Sequence, residues 1–178
     1  MTVIAGLDIA TRTGVCIMDG DKPIHIESFR PKGEKDAEIF HGFRIHLRSL
    51  ILSHGVEYVG IEEPLRSDNR KNNDDGTVTM LTTMRTILRL YGLRAHAIEI
   101  CESLGIPFQE FNQGTWRKAF MGNGKAKKED AVRQCQMLRW NVPNKDAAEA
   151  CGVAWCLAGY IRSARLVRPG DLFEGDAA

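Results

Sequence analysis

Four acidic positions stand out because the residue type disagrees with its surroundings. Asp8 falls within Val3-Ile4-Ala5-Gly6-Leu7-Asp8-Ile9, an apolar run of strand character in which aspartate is disfavoured. Taken alone it is as readily a turn former. Glu62 and Glu63 close the run Tyr58-Val59-Gly60-Ile61, ahead of Pro64, which cannot join a ladder. Successive strand side chains alternate faces, so only one of these two glutamates can face Asp8, and periodicity does not choose between them. Asp146 and Glu149 lie three apart at the start of a helical segment and therefore share a face. The helix macrodipole explains an acid at 146 better than one at 149, and such a pair by itself is more often structural.

Together the four describe one chemistry. Carboxylates held close repel, which raises their pKa values, and a hard divalent cation removes that repulsion. Mg²⁺ takes oxygen ligands yet keeps several waters, leaving room for a substrate phosphate, and Mn²⁺ or Ca²⁺ suits the same donors. Two such ions about 3.5–4 Å apart stabilise both the attacking and the leaving oxygen of a phosphodiester. Lysines and arginines accompany the acids. Arg117, Lys118, Lys125, Lys127, Lys128 and Arg133 stand against only Glu129 and Asp130 in that stretch, a local net of +4. Its centre, Gly122-Asn123-Gly124-Lys125-Ala126-Lys127-Lys128, is a glycine turn feeding a helix start, where free amides and lysines suit phosphate. Cations at a helix N-terminus are otherwise mildly unfavourable, which favours a functional over a merely solvated face. Arg66, Arg70 and Lys71 would extend this nucleic-acid surface.

The elements that must position these residues follow from periodicity. Val3–Ile9, Gly14–Met18 and Ile24–Phe29 are short β-type runs in close succession, separated by turns that include Asp19-Gly20, and so form an antiparallel meander. Ile39, Phe43, Leu47, Leu50 and Ile51 recur at helical spacing, predicting a helix over Glu34–Ser53 that stops at His54-Gly55. The strand Glu57–Glu62 then returns by a crossover, which implies parallel pairing in the same sheet. Arg66–Thr77 holds no aliphatic residue and is expected to be an exposed loop. A long helix from Met80 to Cys101 follows, its apolar face wide enough to serve both the core and a dimer contact. Ile106–Phe111 is the next strand, with helices at Trp116–Phe120, Lys127–Trp140 and from Pro143-Asn144 to Ser163, Asn144 acting as N-cap. The expected architecture is α/β: a mixed five-stranded sheet, three antiparallel strands then parallel ones, with helices on both faces. Residues 1–165 are expected to form this one domain and 166–178 a polar tail.

Bulk properties exclude other classes. The 178 residues are 43% hydrophobic and 26% charged, which is ordinary for a globular domain and unlike disordered chains. Net charge is +1, so any nucleic-acid surface must come from local clustering. Cys16, Cys101, Cys135, Cys151 and Cys156 are odd in number and hold no C-x-x-C pair, which argues for buried thiols in a reducing compartment rather than disulfides or a zinc site. No basic-then-apolar leader occupies residues 1–20 and no run approaches 18 apolar residues, so a cytoplasmic protein without a membrane span is expected. The five histidines form no H-E-x-x-H pair, and no G-x-x-x-x-G-K-[ST] loop is present.

Gly6-Leu7-Asp8-Ile9-Ala10 with Gly14, Ile61-Glu62-Glu63, Gly122-Asn123-Gly124-Lys125-Ala126-Lys127-Lys128 and Asp146-Ala147-Ala148-Glu149-Ala150 resemble, in order, the motifs of RuvC-type Holliday-junction resolvases. The likeness runs from about Val3 to Tyr160. It implies an RNase H-like fold, a homodimer, and Mg²⁺- or Mn²⁺-dependent cleavage of four-way DNA junctions by symmetric nicks, with two ions in each active site. It selects Glu62 over Glu63, because the family's glutamate directly follows the isoleucine of that motif. Asp8, Glu62, Asp146 and Glu149 then carry over as metal ligands, Lys128 as a basic residue near the scissile phosphate, and Arg117 as a second basic position. Whether a branch-migration helicase is a partner is not given by the sequence. Two positions depart from the family: Glu149 stands where an aspartate is usual, and Leu65 stands where an aromatic is typical, so other branched DNA is included in the expected substrate.

Three other readings compete. An actin-like ATPase or sugar kinase would need Asp-x-Gly-Thr after its first strand, whereas Asp8-Ile9-Ala10-Thr11 lacks the glycine, and two nucleotide-clamping lobes are not expected in 178 residues. A nuclease of the same fold acting on structured ribosomal RNA would share Asp8 and the last helix. A non-catalytic junction-binding module would keep its binding without Asp146 or Glu149.

Overall fold

Short β-type runs bounded by turns produce β1 (Val3–Asp8), β2 (Thr13–Asp19) and β3 (Lys22–Phe29), the first two buried almost throughout, paired antiparallel in sequence. The structure, a computed structural model, describes residues 2–64, 70–72, 78–80 and 83–166, with backbone alone at 70–72, 78–80 and 165–166. Helix α1 (Asp36–His54) crosses to β4 (Tyr58–Glu62), which lies parallel to β1 with Leu7 opposite Ile61. Helix α1 ends where Gly55 takes φ 63°, the left-handed conformation that spares a side chain there. A second crossover leads to β7 (Phe108–Phe111), parallel to β4, so the sheet order is β3-β2-β1-β4-β7. The α/β fold with a mixed five-stranded sheet is as the strand pattern required.

Between β4 and the next helix the chain differs from expectation. Backbone at Arg70–Asn72 (β5) and Val78–Met80 (β6) pairs antiparallel, Lys71 opposite Thr79, where a loop was expected over Arg66–Thr77. Ladder bonds are made by the main chain, so polar side chains do not forbid them, and a search for apolar residues misses such a pair. Helix α2 runs over Met84–Leu104 instead of starting at Met80, because the Thr83 hydroxyl accepts from the Thr86 N–H and sets the helix start there. Arg66 and Leu65 lie outside the described residues.

Helices α3 (Gln113–Met121), α4 (Lys128–Met137) and α5 (Lys145–Leu166) complete the chain. Helix α4 is shorter than the expected Lys127–Trp140, ending at Leu138 before Arg139 adopts φ 60°. Asn144 caps α5 as expected, its Oδ1 accepting from the Ala147 N–H at 3.0 Å. The sheet divides two cores. Leu7, Val15, Ile17, Val59 and Ile61 pack against Phe43, Leu47, Leu93 and Ile100 of α1 and α2. On the other face Ile4, Cys16 and Met18 meet Trp116, Phe120, Ala150, Cys151 and Leu157 of α3–α5.

Helix α5 is the element that matters most for the site. Its residues Ala147–Ala154 are all buried, the signature of a helix enclosed on every side. It presses onto β1 and β2 at two glycines. A Cβ on Gly6 would sit 2.3 Å from the Ala154 nitrogen, and one on Gly14 would sit 2.1 Å from the Asp146 carbonyl oxygen. Neither position admits a side chain without moving α5 off the sheet. All five cysteines are free and buried, and burial pushes the Cys101 thiol up to about 12, so it is no thiolate nucleophile at neutral pH.

Candidate active site

The carboxyl ends of the parallel strands β1 and β4 bring Asp8 and Glu62 side by side, one position past the Leu7–Ile61 pair. Parity selects the glutamate. Val59 and Ile61 enter the α1–α2 core, whereas Gly60 faces Val153 and Leu157 of α5, so Glu62 follows Gly60 onto the α5 face. Glu63 is exposed. Close contact of α5 with Gly14 places the first turn of that helix over the end of β1, and with it Asp146 and Glu149.

One ligand atom each from Asp8, Asp146 and Glu149 lie within 4.8 Å of one another. Glu62 stands beside this triplet, near enough for its charge to act on Asp8 and to be acted on by Glu149. Its Oε1 accepts from Gln113 Nε2 at 3.2 Å, at the start of α3. Asp8 is 6% and Glu149 1% exposed, so these acids are held in a poorly solvated place. Burial, then repulsion from Glu62, raises the Asp8 carboxyl well above its ordinary value, and burial followed by Glu149 raises Glu62.

Two cationic side chains compensate part of this charge. Arg117 Nη2 donates to Glu149 Oε1 at 2.7 Å. Lys128, the first residue of α4, points its ammonium among three carboxylates: 3.8 Å from Asp8 Oδ2, 3.3 Å from Asp146 Oδ1, and in ion-pair contact with Glu149 Oε2. Burial pulls its pKa down, but attraction to Asp8, with Glu149 and Asp146 adding, outweighs that and holds the ammonium charged. Compensation is incomplete, because Asp8 Oδ2 and Glu62 Oε2 are buried without a hydrogen-bond partner. Clustered acidic oxygens, two of them unpartnered, are the donor set that a hard divalent cation takes.

The basic residues sort differently. Lys118, Lys125 and Lys127 are exposed. Arg117 is not: its side chain is 12% exposed and turned inward to Glu149. A guanidinium beside a buried carboxylate is drawn to it, which residue counting along the chain does not reveal. The glycine turn is also less open than expected. Gly122 caps the end of α3, and the Lys127 N–H is taken by Asp130 Oδ2 at 2.7 Å, so that amide is not free for phosphate. Arg70 and Lys71 lie on β5. Gln113 escaped the sequence reading, although Asn112, which caps α3 through Thr115, marked the helix start that aims it.

The raised carboxyls have a measurable consequence. A carboxyl whose pKa is higher in the folded than in the unfolded chain favours folding at acid pH. That contribution is lost as pH rises from the ordinary value, 3.8 for Asp8, through the folded one. Asp8→Asn removes the loss. In chelator at pH 7 the variant is expected to melt above wild type, the gain vanishing toward pH 4. Calorimetric melts across that range check this, and a variant that melts lower at pH 7 refutes it.

A mixed sheet of order β3-β2-β1-β4-β7, its first three strands antiparallel and the rest parallel, with helices on both faces matches the RNase H-like fold. Within that class the chain has the fold of the RuvC-type resolvases. It superposes on RuvC of Thermus thermophilus with a TM-score of 0.72 and 17% identity, covering 92% of this chain and 97% of that one. The same RuvC in complex with Holliday junction substrate matches with equal score and identity, over 92% and 96%. The yeast mitochondrial Holliday junction resolvase matches with a TM-score of 0.62 and 12% identity, over 94% and 82%. No family model and no curated protein sequence matches the chain. No described helix is long and apolar enough to cross a membrane.

Proposed function

We infer that residues 1–165 form a divalent-metal-dependent endonuclease that cuts four-way or related branched DNA. The carrying observation is the convergence of four carboxylates, two with unpartnered buried oxygens, at the end of β1 and β4. Likeness to two junction resolvases, one of them bound to its Holliday junction, supports the substrate class.

Asp8, Glu62, Asp146 and Glu149 would hold Mg²⁺ or Mn²⁺, two ions to a site. Those ions, when bound, supply a nucleophilic water at neutral pH and neutralise charge on the leaving oxygen. The protein's own groups do the rest. Arg117 and Gln113 fix the orientation of Glu149 and Glu62. Lys128, whose side chain is 43% exposed, meets the phosphate and offsets charge that grows on its oxygens. Lys118, Lys125 and Lys127 hold the backbone, with Arg66, Arg70 and Lys71 on the segment after β4. Paired nicks require two sites, and Met84, Leu88 and Tyr91 form an exposed apolar stripe on α2, at 62, 64 and 41% exposure, suited to a second copy of this chain. The buried free thiols accord with a reducing, cytoplasmic location.

Purified protein incubated with labelled four-way, Y-shaped and linear DNA tests this reading. Nicking of the branched substrates is expected with Mg²⁺ and none with chelator. Cleavage that survives chelation, or linear DNA cut as fast as the junction, overturns it.

A further inference from the structure

The acidic centre has two flanks, and the basic residues read from the sequence cover only one. On the opposite flank, α1 and α2 begin side by side. Arg89 of α2 donates from Nε at 2.8 Å and from Nη2 at 2.5 Å to Asp36 Oδ1, the first residue of α1. Next to this pair lies a cavity of about 310 Å³ lined by Thr11, Glu34, Arg85, Thr86 and Arg89. Thr11 belongs to the turn that follows β1, three residues after Asp8, so their Cα atoms are at most about 11 Å apart. The cavity therefore lies at the same end of the sheet as Asp8, on the face covered by α1 and α2 rather than the face covered by α3 and α4.

Its charge is not self-contained. Arg85 and Arg89 line it against Glu34, with Asp36 held by Arg89. Glu38 Oε2 is occupied by the N–H groups of Glu34, at 3.0 Å, and Lys35, at 3.4 Å. Arg89 is committed to Asp36. Arg85 is exposed and has no ion pair or hydrogen bond among the described residues, although Glu34 lines the same cavity. An arginine with five free donors, beside the hydroxyl of Thr11, offers what a backbone phosphate needs: a fork of N–H groups and a neutral donor.

We propose that this cavity binds a backbone phosphate of the nucleic acid through Arg85 and Thr11, so that the strand is gripped on both flanks of the carboxylates. The inference rests on the endonuclease reading and extends it to a site on α2 and the β1–β2 turn. Glu34 opposes the phosphate and tunes its affinity.

Binding of a labelled four-way DNA junction, followed by anisotropy in chelator from 50 to 300 mM NaCl, tests the site. Arg85→Ala is expected to weaken binding about 5–10-fold at 100 mM salt and to reduce the slope of log affinity against log salt by about 0.9, one phosphate's worth. Arg85→Lys keeps most of the slope, and Glu34→Gln tightens binding a few-fold. Arg85→Ala with affinity within twofold of wild type, or weakened without a change in slope, overturns the inference while leaving the endonuclease reading in place. Absence of junction binding by the wild-type protein overturns both. Should Arg85→Ala fail to fold, the two remaining variants decide, since neither removes a charge pair of the structure.

Discussion

Asp8→Asn is expected to reduce junction cleavage on the order of 10³-fold or more while leaving four-way DNA binding within about threefold of wild type. The substitution is isosteric and keeps one oxygen, but it removes the charge that a divalent ion requires at the centre of the cluster. Asp8 is central because Glu62 on one side and Asp146 with Glu149 on the other all act upon it. Binding persists because it rests on the cationic flanks, and losing one negative charge near the backbone favours it slightly. Glu62→Gln and Asp146→Asn should behave alike. Glu63→Gln is the informative control: it is adjacent in sequence, equal in chemistry, and on the other side of the strand. Cleavage retained in Asp8→Asn or Glu62→Gln, or lost in Glu63→Gln, contradicts the arrangement. Single-turnover cleavage measured beside anisotropy separates the two effects.

That control also shows where the sequence was informative. The run Tyr58–Glu63 announces a strand, yet alternation alone is symmetrical between its faces. The choice of Glu62 came from a resemblance, and the physical reason appears only with α5 in place, where Gly60 meets Val153 and Leu157. Strands β1 to β4 and helix α5 were legible because each is strongly periodic or uniformly apolar, and because turns and caps at Asp19-Gly20, His54-Gly55 and Asn144 bound them. The β5–β6 pair was not, since its bonds are made by backbone. The start of α2 was displaced because apolar spacing reaches back to Met80, whereas the N-cap is Thr83, whose hydroxyl meets the Thr86 amide.

The site followed the same division. Residue types and order along the chain nominated the four acids and Lys128; the fold gathers Asp8, Asp146 and Glu149 around Lys128 and sets Glu62 beside Asp8 at the ends of β4 and β1. What the chain's order could not convey is compensation across space. Gln113 reaches Glu62 over 51 positions and Arg117 reaches Glu149 over 32, and neither has a local signal. The basic stretch 117–133 looked uniform, yet it contains an inward guanidinium, an ammonium amid the carboxylates and three surface lysines. Net local charge measures none of those differences.

Arg117→Ala is expected to have the largest effect on stability. Glu149 is almost wholly buried, and Arg117 supplies its 2.7 Å hydrogen bond. Removing one member of a buried pair leaves the other charge uncompensated, which costs about 3–5 kcal/mol where no second partner exists. Lys128 also reaches Glu149, so a loss of about 2–4 kcal/mol is expected, or roughly 4–16 °C in melting temperature in chelator. Glu149→Gln in the same background should restore most of it, because the stranded charge is then gone. Saturating Mg²⁺ should also narrow the deficit, since a cation bound only by the folded state stabilises it and takes over part of the role of Arg117. Arg117→Ala is therefore a probe of what the carboxylates are for. A deficit that Glu149→Gln relieves but Mg²⁺ does not would make the Arg117–Glu149 pair a structural contact alone and leave Glu149 outside the metal site.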